Sequence, residues 1–340
     1  MTKKYNVAVV GATGAVGETL ISILEQRNFP VDKLIPLASE RSAGDTILFN
    51  KKAIMVEDLA KFDFSQADIG LFSAGGSVSK IYAPKAAEAG CIVVDNTSEF
   101  RYDDNIPLVV PEVNPEALAN YKDSNIIANP NCSTIQMLVA LKPIYDKYGI
   151  DVINVSTYQS VSGSGKLGID ELAGQTAKLL NGLGAEPKAY SKQIAFNVIP
   201  HIDNLEDNGF TREEMKMVWE TQKIFNDENI KVNPTAVRVP VFYGHSEAVH
   251  ITTKEPYQLD DVIKLLKQAP GVKVINGTDE MKYASAVSDA AGEDPVFVSR
   301  IRRGLDSDRS LNLWVVSDNI RKGAALNSIQ IAEKIIQNYL

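Results

Sequence analysis

The 340-residue chain is poor in reactive side chains: it has two cysteines, Cys91 and Cys132, and three histidines, His201, His245 and His250. Two thiols in a chain of this length do not make a disulfide scaffold, and no metal is expected. Positive charge is not in excess either. Lys and Arg number 35 against 43 Asp and Glu, for a formal net charge of -8. An acidic chain is poorly suited to wrapping nucleic acid, which needs clustered Lys and Arg, although a basic pocket for a small anion remains compatible with it. No stretch approaches the roughly 18 consecutive apolar residues of a membrane span. The opening residues, MTKKYNVAVVGATG, hold no apolar core followed by a small-residue cleavage site, so they do not read as a signal peptide. No internal repeat or low-complexity tract is visible, and a cytoplasmic location is expected.

What is present is 44% hydrophobic residues, enough to bury about two domains. The first third alternates strand and helix. Residues 5–10, 34–38, 69–73, 91–95 and 126–128 are short apolar runs. Residues 14–27 and 78–89 carry helical spacing, with Val16, Leu20, Ile23 and Leu24 on one face. That repetition predicts a doubly wound parallel sheet. The character changes after residue 150. Residues 152–160 are rich in β-branched side chains, 169–180 read as a helix, and 235–241 and 248–253 alternate like antiparallel strands. Residues 296–301 and 311–317 pair across RRGLDSDRS. Residues 322–340 return to an amphipathic helix that is expected to rejoin the first domain. The predicted class is α/β: a Rossmann-type doubly wound domain (1–131 with 322–340) plus an α+β domain (132–321).

Gly11-Ala12-Thr13-Gly14-Ala15-Val16-Gly17 lies between the first strand and the first helix. Its glycines are spaced three and three, not two and three. The mechanism is the same: a sharp turn brings backbone close to a pyrophosphate at a helix N-terminus. After the second strand comes LASERSAG, in which Glu40 is surrounded by Ser39, Arg41 and Ser42. An arginine with hydroxyls suits a 2′-phosphate, so NADP is expected over NAD.

Cys132 sits in NPNCST, after a strand and at the start of a helix over residues 134–148. Helix amides and dipole favour a thiolate there, and the same amides can serve an oxyanion. Cys91, inside CIVVD, reads as a buried structural residue. A nucleophilic thiol needs a base. His245, beside Gly244 in VPVFYGHSEAVH, is the candidate; His250 falls in a strand pattern and His201 in a loop. Arg238, seven residues before His245, suits a carboxylate, and Arg101 follows the fourth strand, where ligands gather in open sheets. Glu213 and Lys216 share a helix face in TREEMKMVWE, which by spacing alone is a solvated ion pair.

The motifs GATGAVG, NPNCSTIQ, TYQSVSGSG, EEMK, RVPVFYGHSE and DNIRKGAALN, in this order over the whole chain, resemble the aspartate-β-semialdehyde dehydrogenases. The resemblance implies a homodimer that reduces L-aspartyl 4-phosphate with NADPH, on the branch toward lysine, threonine and methionine. It implies that Cys132 forms an acyl-thioester, that His245 is the general acid and base, and that Gln159 orients the substrate. Arg238 and Glu213 would hold the α-carboxylate and α-amino group. Arg101 and Lys216, with Asn131 beside them, would bind the phosphate. Gly11, Thr13, Gly14, Ala15, Val16, Arg41, Ser42, Ser162, Gly163 and Asn319 would line the NADP site. On this likeness EEMK is a site, not a surface pair. The form of the stretch from Arg238 to His245 resembles the Gram-positive branch more than the enteric one.

Three rivals stand beside this reading. An N-acetyl-γ-glutamyl-phosphate reductase would have no substrate cation for Glu213 to pair with. A glyceraldehyde-3-phosphate dehydrogenase is disfavoured by the NPNC context and the Arg238/Glu213 clamp. A non-catalytic NADP-binding sensor would not need Cys132, Gln159 and His245 together.

Overall fold

The first strand, β1 (Tyr5–Val10), is apolar and enclosed except at Asn6, as a strand covered on both faces must be. In the structure, a computed structural model describing residues 3–276 and 282–340, it anchors a six-stranded sheet. The chain continues through α1 (Ala15–Gln26), β2 (Val31–Ala38), β3 (Thr46–Phe49), β4 (Lys52–Met55), β5 (Glu57–Asp58), β6 (Ile69–Phe72), α2 (Gly76–Glu88), β7 (Ile92–Asp95) and β8 (Ile126–Ala128). The sheet order is β5-β2-β1-β6-β7-β8, and every pairing in it is parallel. Strand order reverses between β1 and β6, which opens a crevice at their carboxyl ends. This is the Rossmann-like sheet expected from the strand–helix alternation. The antiparallel hairpin β3–β4 was not foreseen. It turns at Asn50 and Lys51 with φ of 48° and 63°, without the glycine that marks such turns.

The chain divides into two units, Met1–Pro130 with Ala324–Leu340, and Asn131–Gly323. The last helix, Leu326–Asn338, belongs to the first unit because its Ile329, Ala332 and Ile335 are buried in one cluster with Val7, Leu20 and Leu24. Arg27 fastens it from α1 with two 2.7 Å hydrogen bonds to the Glu333 carboxylate.

The second unit runs α3 (Cys132–Tyr148), β9 (Ile150–Gln159), α4 (Gly165–Leu180), α5 (Arg212–Phe225), β10 (Lys231–Arg238), β11 (His245–Thr253), α6 (Leu259–Gln268), β12 (Val272–Ile275), β13 (Val296–Arg303) and β14 (Ser310–Ser317). Its sheet is mixed, in the order β10-β9-β11-β14-β13-β12, with α3 packed against β9, β11 and β14. β13 and β14 form the expected antiparallel pair, interrupted between Ser299 and Arg302 where Arg300 takes a positive φ of 52°. The two alternating segments do not pair with each other: β10 pairs in parallel with β9, with α4 and α5 in the crossover, and β11 pairs antiparallel with β9 on its other side. Side-chain alternation marks a strand with unlike faces but does not say which neighbour it has. Among the described residues, no helix is long and apolar enough to cross a membrane.

Candidate active site

In the first unit, the turn after β1 is built for close backbone approach. Gly11 has φ of 85°, and a β-carbon there would lie 3.0 Å from the backbone of Ser73 and Ala74. A β-carbon at Gly17 would run into the Gly11 carbonyl, so this third glycine lets α1 start directly against the turn. Gly14 follows Thr13 as the N-cap of α1 and makes no side-chain capping hydrogen bond to it. The amides of Ala15 and Val16 in the first turn of α1 thus receive no cap from that residue, which fits a dinucleotide pyrophosphate. Arg41 and Ser42 stand beyond β2 in one 3-10 turn, Glu40–Ser42, with Arg41 exposed. Arg101 is buried, and its Nη2 donates to the Asn96 carbonyl at 3.0 Å. The loop it belongs to is pinned by Asp95, which accepts from the Ser79 and Thr97 hydroxyls at 2.6 Å each. Cys91 is fully buried at the foot of β7, and burial pushes its thiol up to about 12, which makes it inert.

The second unit gathers the remaining candidates. Cys132 is the first residue of α3 and is partly exposed. Asn131 caps the helix, and its Oδ1 accepts from the amides of Ser133 and Thr134 at 3.0 and 3.3 Å. This corrects one expectation: those two amides are occupied by the cap and are not available to an oxyanion. The backbone at Gly323 passes close to Cys132. A β-carbon at Gly323 would lie 2.7 Å from Cys132 Cβ.

Asn131 also reaches sideways. Its Nδ2 donates to Glu213 Oε1 at 2.8 Å, and Gln159 Nε2 donates to the same oxygen at 3.2 Å. Lys216 Nζ binds Glu213 Oε2 at 2.9 Å and Asp203 at 2.8 Å. The side chains of Glu213 and Lys216 are only 7% and 12% exposed, so the solvated pair that spacing suggested is in fact buried. The local sequence explains why both point inward. Thr211 and Glu214 form a reciprocal capping box that starts α5, and Glu214 also accepts from the Ala236 amide of β10 at 2.9 Å. Burial by itself would raise the Glu213 carboxyl, but Lys216, the Asn131 amide and Arg238 outweigh it and hold it down at about 2. It is therefore a fixed negative charge at neutral pH.

His245 opens β11 and is fully buried. Its Nδ1 accepts the Ser160 amide proton at 3.1 Å, so in the neutral ring the proton sits on Nε2. Burial, helped by the Arg238 charge, pulls the imidazole down to about 3, so at neutral pH the ring is uncharged and offers Nε2–H. Arg238, at the end of β10, donates from Nη1 to the Ser160 carbonyl at 2.7 Å and faces the Tyr190 ring. Gly163 is held between these two side chains. A β-carbon there would lie 2.9 Å from the guanidinium and 3.5 Å from the His245 ring. Asn319 joins the loops: its Oδ1 accepts from Ser160 Oγ at 2.9 Å, Ser162 Oγ at 3.2 Å and Gly244 N at 3.0 Å.

Of the other histidines, His201 is exposed outside regular structure, and His250 lies in β11, its Nε2 3.2 Å from Asp306. Residues passed over in the sequence also shape the site. Ser160 contacts His245, Arg238 and Asn319 at once. Glu220, fully buried, accepts the Asn131 backbone amide at 2.6 Å and so fixes the residue next to the thiol. Glu220 is seven residues after Glu213, two turns along the same face of α5, and that spacing was the available signal.

Two family models match the chain: "Semialdehyde dehydrogenase, NAD binding domain" over residues 6–121 and "Semialdehyde dehydrogenase, dimerisation domain" over residues 141–322. An aspartate-semialdehyde dehydrogenase of Shewanella violacea is 64% identical, and one of Vibrio cholerae is 61% identical, each alignment covering 100% of both chains. Among solved structures, aspartate semialdehyde dehydrogenase II of Vibrio cholerae, complexed with ASA, superposes with a TM-score of 0.98 at 61% identity, covering 100% of each chain. The Candida albicans aspartate semialdehyde dehydrogenase with NADP does so at 0.77 and 26% identity, covering 98% of each chain. The relatives from Shewanella and Vibrio are Gram-negative, so the expected likeness to a Gram-positive branch is not confirmed.

Proposed function

Since the chain belongs to the aspartate-semialdehyde dehydrogenase family, we propose that it reduces L-aspartyl 4-phosphate to L-aspartate 4-semialdehyde, with release of phosphate, in lysine, threonine and methionine biosynthesis. The observation that carries the choice of substrate is Glu213, a buried carboxylate kept ionised beside Gln159 and next to the residue preceding Cys132. An α-ammonium group complements that charge. The acylated amine of an N-acetylglutamyl substrate does not, which sets the rival reductase aside.

Cys132 attacks the acyl carbonyl; the carbon–sulfur bond forms and the carbon–oxygen bond to phosphate breaks, leaving a β-aspartyl thioester. Gln159 orients the acyl group and Arg238 takes the α-carboxylate. Arg101 and Lys216, with Asn131, receive the phosphate. A bound nicotinamide supplies the hydride that reduces the acyl carbon. In the tautomer with its proton on Nδ1, which Ser160 Oγ at 3.1 Å can accept, His245 takes the thiol proton at Nε2 as Cys132 attacks. The imidazolium so formed returns that proton to oxygen as negative charge develops there, and the carbon–sulfur bond then breaks to free aldehyde and thiol.

The dinucleotide turn of the first unit fits an NAD(P) pyrophosphate, and we assign NADP on Arg41 and Ser42, with Ser162, Gly163 and Asn319 completing the site. We assign NADP binding to residues 1–131 with 322–340 and catalysis and dimerisation to 132–321, a homodimer, and a cytoplasmic setting where NADPH and aspartyl phosphate are available. Phosphate-dependent oxidation of aspartate 4-semialdehyde, followed by NADPH absorbance with N-acetylglutamate semialdehyde as control, is the test. Turnover of the control in preference to aspartate semialdehyde overturns the assignment.

A further inference from the structure

Glu247 is a carboxyl that the reaction above does not use. It lies on β11 two residues after His245, so both side chains leave the same face of the sheet. It is 0% exposed. Across the strands its neighbours are Thr157 on β9 and Val315 on β14. Helix α3 covers this face, and from it Gln136, one turn after Cys132, directs its amide at the Glu247 carboxyl. Neither oxygen of Glu247 and neither amide atom of Gln136 has a hydrogen-bond partner among the described residues.

Four complementary atoms are thus left together in a buried layer. A carboxylate has no donor, so it can satisfy only the amide nitrogen. A protonated acid has one donor and one acceptor, as an amide does, and the two can close a ring of two hydrogen bonds that leaves nothing unpaired. We infer that Glu247 is a positioning residue which, as an uncharged acid, pairs with the Gln136 amide and so clamps the strand of His245 to the helix of Cys132. Burial, not a charged neighbour, favours that state by pushing the carboxyl well above the usual range. The titratable groups facing the layer are His245 on its own strand and Cys132 on α3; Thr157, Val315 and Ser317 from β9 and β14 carry no charge. Gln159 is linked in as well, since its Nε2 donates to Thr157 Oγ1 at 3.3 Å.

The inference rests on Cys132 and His245 being the reacting pair, but its test does not need turnover. Glu247→Gln keeps an amide-to-amide ring and removes the titration; Glu247→Ala removes the ring. Raising the pH should destabilise the wild type relative to Glu247→Gln, because a folded-state pKa above the unfolded one costs stability as pH climbs past the unfolded value. Urea unfolding should show the two alike near pH 4.5. Above it the wild-type folding constant should fall behind by up to tenfold per pH unit until Glu247 ionises. Parallel pH dependences overturn the uncharged acid. The rate of Cys132 alkylation by iodoacetamide against pH reads positioning, with Cys91 buried and silent. Glu247→Ala should shift that profile and lower kcat at least fivefold with KM for NADPH unchanged, and Glu247→Gln should restore both. An unshifted alkylation profile in a folded Glu247→Ala overturns the positioning role. Should that variant not fold, the pH dependence of Glu247→Gln still decides. Lack of aspartate-semialdehyde turnover in the wild type would defeat the proposed function while leaving both readouts intact.

Discussion

Replacing Glu213 with glutamine removes one charge and almost no volume, which makes it the cleanest probe of the substrate-binding cluster. In the folded protein the carboxyl is held at about 2 against an ordinary 4.5. Each unit of that displacement is worth about 1.4 kcal/mol, so the charged form of Glu213 contributes about 3 kcal/mol at most. The sign follows from the direction. A depressed carboxyl stabilises the fold at any pH above the unfolded value of 4.5, and the contribution fades only as pH falls from there toward about 2. Glu213→Gln should therefore be less stable than the wild type by up to about 3 kcal/mol at pH 7 and pH 5 alike, with the gap narrowing below pH 4.5. Lys216 keeps Asp203 as a partner at 2.8 Å, and the glutamine retains a carbonyl for Asn131 and Gln159, so the variant should still fold. Urea unfolding at several pH values gives the stability difference. Initial rates give the second half: KM for aspartate semialdehyde should rise tenfold or more, while KM for NADP stays within twofold. A variant as stable as the wild type at pH 7, with an unchanged substrate KM, would refute the reasoning on both counts.

Cys132→Ala should lose turnover by at least a thousandfold while NADPH binding, followed by nucleotide fluorescence, stays within twofold; substantial residual activity excludes the thioester. Arg41→Ala should weaken NADP binding at least tenfold and leave NAD binding nearly unchanged, as removal of a partner for the 2′-phosphate requires, and equal losses for both nucleotides in a titration would reject that role.

Local signals in the chain were enough for much of this molecule. The strand–helix alternation over residues 5–95 already specified the parallel sheet, because buried parallel strands must be apolar throughout and each needs a crossover. The glycines at 11, 14 and 17 announced the turn, and at 11 and 17 only a missing side chain allows the backbone approaches found there. The N-cap position of Asn131 placed Cys132 at a helix start, and the capping box at Thr211 and Glu214 set the beginning of α5. These features depend on residues within a turn or two of one another, and the sequence by itself determined them.

The tertiary structure alone decided what those elements do to one another. Spacing could not tell whether Glu213 and Lys216 face water or the interior; the packing of α5 on β10 buried them and turned a surface pair into a fixed charge. It could not show β10 beside β9 in place of β11, or Ser160 bridging His245, Arg238 and Asn319. Nor could it reveal that the helix amides next to Cys132 are taken by Asn131, or that Glu247 has no charged partner in its buried layer. Each of these is a long-range contact that sets burial, and burial sets whether a side chain holds its charge. The pattern of residues named the groups, and the way distant strands and helices enclose them decided their protonation and their aim.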